Sequence, residues 1–485
     1  MNRMSTIQRP VISAALAVLL AGCAQVSIPT PSPTALVPAS YKGADVSSEL
    51  NAPRQWWRMY QDATLSDLVE STLRDNPYTQ VAQWRVLAAR AQSQVAHADR
   101  LPQASAGAGF SHLRTSSNTP LGEVLGHNPI QGDKYTVGAD AAWQIDLWNR
   151  VAHAVEGAHA NVEAERAYTR LVEQVLSWEV AVYYWKFRAA EADLALLGDM
   201  REQRAEAERV LAGRFEHGLI GELDLARARL ELKNTDADIE DARRRMSLAE
   251  HELATLAVKP VKDFAVSRDP AYRLPEVPTI QPGIPASLLS RRPDLAQSAQ
   301  HLRILLAQKA IADTAFYPSI SLTGNFGFAS MDLRNLVNAD SRQFSFGPIA
   351  ISLPILDGGR ISANQKIADA RYQEAVNVHK VQLLIALREV DDALSDLASY
   401  RNQAGLLQAA LSSARQASAM AKARYEKGAT NYLEVTHAER DLLSAELKAR
   451  HNHLKALQAS TQLVYVLGGG WEEPSNQPDP SRPPA

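Results

Sequence analysis

The chain has 485 residues, 46% of them hydrophobic and 22% charged, with a net charge of -3 at pH 7. That mildly acidic balance argues against a nucleic-acid binder, which needs a basic face, and no apolar run reaches the roughly 20 residues of a membrane-spanning helix. Length alone allows two or three domains, an estimate that an internal repeat overrides.

The first element is a targeting segment. Arg3 and Arg9 precede an apolar stretch from Val11 to Ala21, and Gly22 and Cys23 follow it. A basic start, a short apolar centre and small residues at the end predict a secretory signal over residues 1–22 rather than a spanning helix. Leu20-Ala21-Gly22-Cys23 resembles a bacterial lipobox, which implies a diacylglycerol and an acyl chain on Cys23 as the mature N-terminus. Cys23 is the only cysteine, so disulfide, metal and thiol chemistry do not compete for it. Loss of residues 1–22 removes two arginines and takes the net charge from -3 to -5. Residue 24 is alanine, and in the lipoproteins that this motif resembles the lack of aspartate there goes with sorting to the outer membrane. Residues 23–59 read as a lipidated, extended lead-in.

A first repeat unit is expected over 60–257. Residues 64–100 are rich in alanine and lack glycine, which predicts helix, and Pro102 stops it. A β-hairpin over about 103–147 follows, with a polar loop near 114–133. Its returning strand alternates: Tyr135, Val137, Ala139, Ala141, Trp143, Ile145 and Leu147 share one parity, and Thr136, Asp140, Gln144 and Asp146 the other. Aromatic residues near the helical end and strand lengths near the ~9–11 residues of a tilted spanning strand suit an outer-membrane barrel better than a half-buried sheet.

From Arg150 to Glu216 there is no proline, and 67 residues of helix would reach about 100 Å. Two heptad seams run along its first half, one through Leu171, Val175, Trp178, Val182 and Trp185, the other through Leu176, Val180, Tyr183, Phe187 and Ala190. At about 3.5 residues per turn the seams lie roughly 150° apart. Neighbours at that angle belong to a wide ring near twelve helices, whereas a four-helix bundle needs about 90°. Gly218 marks a helix end, so 217–222 is a tip between two antiparallel helices and the helix returns toward 257.

Residues 258–284 hold five prolines and read as a linker. The second unit, 285–467, repeats the order: helix over 285–316, Pro318, a β-hairpin over about 319–356, a second long helix with one clean seam, and a tip over 427–432. RFEHGLIGELDLARARLEL (214–232) and RYEKGATNYLEVTHAERDL (424–442) match at an offset of 210, while residues 76–110 match 292–326 at an offset of 216. The six-residue difference is assigned to the loop between the strands. Gly347-Pro348 and Pro354 interrupt the fourth strand and leave its register open. The tail, 468–485, has five prolines among its last fourteen residues and reads as disordered.

These pieces together resemble the TolC-like outer membrane efflux proteins, in the lipoprotein (NodT-type) branch that serves RND tripartite multidrug pumps. The resemblance covers nearly the whole mature chain and rests on DLWNR (146–150), RRPDL (291–295), FYPSISLTGNFG (316–327), GPIAISLPILDGGR (347–360), the two tips and LGGGW (467–471). It implies an α+β membrane protein in which four strands per chain contribute to a twelve-stranded trimeric β-barrel and the long helices form a periplasmic α-barrel, with residues 258–284 as an equatorial linker. It further implies an exit duct that passively conducts drugs or other small toxic compounds to the exterior of a Gram-negative cell. The implied partners are two further copies, outer-membrane lipid, a periplasmic adaptor and an inner-membrane RND-type transporter. Adaptor contact falls on Gly218, Leu219 and Ile220 and on Gly428, Ala429 and Thr430. The implied periplasmic gate is Leu433, Glu434 and His437, where His437 departs from the acidic residue usual in the family and raises the expectation of a pH-responsive gate.

No enzyme is expected and no cofactor beyond the lipid. His251-Glu252 lacks the second histidine of a zinc-protease helix, and Asp236, Asp238 and Asp241 lack the glycine and glutamate of a calcium loop. The rival readings are a coiled-coil lipoprotein scaffold without a pore and the exit duct of a protein-secretion system. The scaffold leaves the paired hairpins without a role.

Overall fold

The structure is a computed structural model that describes residues 37–42, 53–124, 126, 128–269 and 272–469. The signal segment, Cys23, Trp471 and the rest of the tail lie outside the described residues.

Each repeat places a short helix, a β-hairpin, a 67-residue helix and a 35-residue return helix in the same order. In the first repeat these are α1 (Ala63–Asp75) and α2 (Pro77–Ala98), β1 (Gln103–Arg114) and β2 (Gln131–Ile145), α3 (Arg150–Glu216) and α4 (Glu222–Leu256). In the second they are α5 (Pro293–Thr314), β3 (Ser319–Ser330) and β4 (Arg342–Ser352), α6 (Arg360–Glu426) and α7 (Tyr432–Val466). The helix expected over 64–100 is broken in two, because Asn76 is extended ahead of Pro77 and its side chain caps α2. The second repeat breaks in the same way at Arg292, ahead of Pro293. Glu222 and Tyr432, placed in the tips by sequence, already belong to the first turns of the return helices.

The four strands form one antiparallel sheet in the order β1-β2-β3-β4. Its register sorts side chains into two kinds of row. Ala106, Ala139, Phe326 and Phe344 lie side by side, as do Trp143, Leu322 and Ile349, and Ile145, Ile320 and Ile351. On the other face lie Ser105, Asp140, Asn325 and Ser345. One face is fit for hydrocarbon and the other for water, the division that a barrel wall requires.

The fourth strand keeps that division through a bulge. Phe344 and Phe346 would fall out of parity with Ile349 and Ile351, but the register slips between Leu322 and Gly324, opposite Gly347-Pro348, and returns both pairs to one face. The bulge also corrects the expectation for the loops. Phe110 and its partner Tyr135 are 25 residues apart, against 18 for Phe326 and Phe344, so the second loop is seven residues shorter. The bulge restores one of the seven, and the six-residue offset is their net.

Below the sheet the helices stack as two tiers. In the upper tier α3 packs on α2 and α5, and α5 also packs on α6; in the lower tier α3 packs on α4 and α7, and α7 also packs on α6. The tiers meet end to end. Asn76 Nδ2 donates to the Leu256 carbonyl at 2.9 Å, where α4 ends under α2, and Arg292 donates to the Val466 carbonyl at 3.2 Å, where α7 ends under α5. This accounts for two of the sequence motifs. The buried Arg292 of RRPDL also holds Asp294 and Glu389, each at 2.7 Å, and the first glycine of LGGGW has a positive φ and sits so close to Arg291 that a Cβ would lie 2.6 Å from its carbonyl oxygen. DLWNR closes the strand-to-helix turn. Asp146 accepts from the Ala152 amide at 2.9 Å, while Trp148 stacks on Tyr317 at 4.9 Å and donates to the Pro318 carbonyl at 2.7 Å.

Candidate functional site

The two tips are built alike. α3 ends with Gly218 at φ +71°, the Gly218 amide donating to Phe215 and the Leu219 amide to Arg214. α6 ends with Gly428 at φ +68°, Gly428 donating to Tyr425 and Ala429 to Arg424. This paired pattern satisfies carbonyls that a helix end leaves open, and it requires the left-handed residue that glycine supplies. Gly218, Leu219, Gly428 and Ala429 are exposed, while Ile220 and Thr430 are half-buried. The tips pack on each other through Leu211, Leu225, Ala228, Ala421, Tyr432 and Val435, with Ile220 against that cluster. Burial pushes the Tyr432 phenol up to about 12, which keeps it neutral there.

The expected gate residues share the first turns of α7. Glu434 and His437, three apart, lie on one helical face, and Leu433 is half-buried beside them. Glu434 is not a bare carboxylate: Arg424 donates to it at 2.8 Å, and the Thr430 hydroxyl donates to its other oxygen. His437 is exposed and makes no hydrogen bond or ion pair among the described residues.

Two ionic clusters that sequence alone does not reveal tie the helical hairpins together. Near the tips, the buried Glu231 of α4 pairs with the buried Arg204 of α3 at 3.4 Å and with Arg440 of α7. Arg204 donates also to the Thr235 hydroxyl and the Glu231 carbonyl. Farther from the tips along α3, the buried Asp193 accepts from Arg245 of α4 at 3.1 Å and meets His451 of α7 at 3.0 Å. Each cluster bridges α3, α4 and α7, the first through Glu231 of α4 and the second through Asp193 of α3.

A third cluster belongs to the equator. Asp62 caps α1 and accepts from the hydroxyls of Tyr184 (2.8 Å) and Tyr272 (2.6 Å). Burial pushes the Tyr184 phenol up to about 12 and raises that of Tyr272, so both remain donors. Arg188 lies 4.3 Å from the Tyr272 ring, pairs with Glu191 at 2.7 Å and donates to the Ser267 carbonyl; Glu191 in turn accepts from the Asp269 amide. The proline-rich linker and the start of α1 are thereby pinned to the middle of α3. A signal for this existed: Arg188 and Glu191 interrupt the apolar stretch that carries both heptad seams, on a side that neither seam uses.

The profile of the outer membrane efflux protein family matches residues 68–257 and 284–469, one match on each repeat. The chain belongs to the outer membrane efflux protein family. It is 31% identical to outer membrane protein OprJ of Pseudomonas aeruginosa over 95% of this chain and 96% of that one. It is 28% identical to multidrug resistance outer membrane protein MdtP of Escherichia coli strain K12, over 94% of each. Among solved structures, the outer-membrane channel OprN superposes with a TM-score of 0.84 at 28% identity, over 91% of this chain and 99% of that one. As a member of this family the protein is an outer-membrane channel of an efflux system in a Gram-negative bacterium, with the tandem-repeat TolC-like fold, and not an enzyme.

Proposed function

We propose that three copies of this chain close into one duct that passively carries drugs or other small toxic compounds across the outer membrane. A periplasmic adaptor meets the tips at Gly218, Leu219 and Ile220 and at Gly428, Ala429 and Thr430, and an inner-membrane RND-type transporter supplies the energy. Diacylglycerol and an acyl chain on Cys23 anchor the protein to outer-membrane lipid. Leu433, Glu434 and His437 form the constriction. His437 stands where an acidic residue is usual in the family, and His437→Asp removes a response of the conductance to pH; an unchanged response would count against the role of His437.

The observation that carries this reading is the unused half of every repeat contact. α5 packs on both α3 and α6, but its counterpart α2 packs on α3 while its other flank leaves Tyr78, Val81 and Trp84 exposed. α6 correspondingly leaves Val378, Val381 and Leu384 exposed, and β1 and β4 are open sheet edges. Applying the relation between the repeats once more sets α6 and β4 of one copy against α2 and β1 of the next. Four strands are too few to close a barrel, and the family resemblance selects three copies. Gly324 pairs with Ala141 between β3 and β2, so the same relation pairs Ala108 of one copy with Ile351 of its neighbour. An Ala108→Cys, Ile351→Cys variant, oxidised and run in detergent gels, gives a ladder that ends at three chains. A ladder that runs past three, or no ladder beyond the unsubstituted parent, contradicts the proposal.

A further inference from the structure

The structure contains a basic groove between α2 and α3. It measures about 1530 Å³, and its walls carry Arg54, Arg58, Arg74, Arg90, Arg166 and Arg170 against two acids, Glu70 and Glu173. Burial raises the Glu173 carboxyl, against the opposing pull of Arg54 and Arg170. Arg58 is paired with Glu70 at 2.7 Å, Arg74 with Asp75 at 3.1 Å and Arg166 with Glu163 at 2.6 Å. Arg90, exposed on α2, has no ion pair among the described residues.

The same groove is lined by Gly468 and Gly469, the last described residues of the chain. α7 has ended there, with Gly468 at φ +74° turning the backbone. The chain continues as Gly470-Trp471-Glu472-Glu473. At no more than about 3.6 Å per residue, Trp471 lies within roughly 7 Å of Gly469 and Glu473 within roughly 14 Å. Connectivity alone therefore leaves two carboxylates and an indole within reach of an arginine-lined groove. Arginine pairs with carboxylates through its planar fork and stacks on aromatic faces.

We propose that the groove is the docking surface for Trp471, Glu472 and Glu473 of the same chain, which strap the end of the second repeat across α2 and α3 of the first. The chosen occupant is the chain's own segment because it begins on the groove wall and has the complementary charge. A neighbouring copy, or a free anion from the periplasm, is the alternative that the test must separate.

Gln83 lines the groove and is exposed, so Gln83→Cys in the full-length lipidated protein reports occupancy through its rate of maleimide labelling, with the parent as blank. Labelling is slow in the otherwise unchanged chain and rises several-fold when Glu472→Arg and Glu473→Arg are added. It rises likewise when the chain is ended after Gly470. Adding Arg90→Glu to the double charge reversal slows it again. Equal rates in all four proteins overturn the proposal. So does slow labelling in the truncated chain, which would mean that another copy or a free anion covers the groove.

Discussion

At the scale of single residues, the structure separates positions that the sequence makes look alike. Gly107, Gly138 and Gly327 form one row across three strands, yet they differ in what a side chain would meet. A Cβ on Gly327 would lie 2.5 Å from the Val137 carbonyl oxygen and 2.7 Å from Gly138 Cα, while one on Gly107 would meet nothing within 4 Å. Gly327→Ala forces β2 and β3 apart and lowers the yield of heat-resistant oligomer in detergent gels below that of the parent. Equal yields would show that the close approach at Gly327 does not matter to assembly.

His379 carries the residue-scale pH prediction. It is buried between α6 and α5, 2.6 Å from the Ser298 hydroxyl, and burial lowers its pKa. A histidine whose folded pKa lies below its unfolded value takes up protons on unfolding, so its contribution is complete above about pH 6.5 and is lost as pH falls below that. His379→Gln flattens the loss of thermal stability as pH falls below about 6.5. A variant that loses stability on acidification as steeply as the parent would contradict the assignment.

At the scale of elements, the long helices were legible because nothing in 67 residues breaks them and a glycine ends each. The hairpins were legible from parity. The breaks at Asn76 and Arg292 were not, since the alanine-rich pattern on either side continues through the proline. The β4 bulge was hidden because one residue gained in a strand cancels against one lost in a loop, and sequence offsets record only the net. The ionic clusters were hidden for a different reason: Glu231, Arg204 and Arg440 sit far apart in a charge-rich sequence, and only the packing of α4 against α3 and α7 brings them together.

That packing yields the prediction for the tips. Removing one member of a buried pair leaves an uncompensated charge and costs on the order of 3–5 kcal/mol. Glu231→Ala strands Arg204 and releases Arg440 of the second hairpin, which frees α7 from α4. Conductance rises and the channel stays open longer. Unchanged currents in a folded, inserted variant would place the restraint elsewhere.

At the scale of the whole molecule, each repeat buries one side of its helices and one edge of its sheet against the other repeat and leaves the opposite side for a further copy. The amphipathic sheet and the exposed flanks of α2 and α6 have no use in an isolated coiled-coil scaffold. A duct uses all of them, and the constriction proposed for it lies where the second hairpin turns, at Glu434 and His437.

The most direct test of that account is single-channel conductance of the purified, lipidated protein in a planar bilayer, beside a Glu434→Ala, His437→Ala variant. The account predicts small, flickering currents for the parent and larger, longer-lived ones for the variant. Silence from both, with insertion verified, would contradict it.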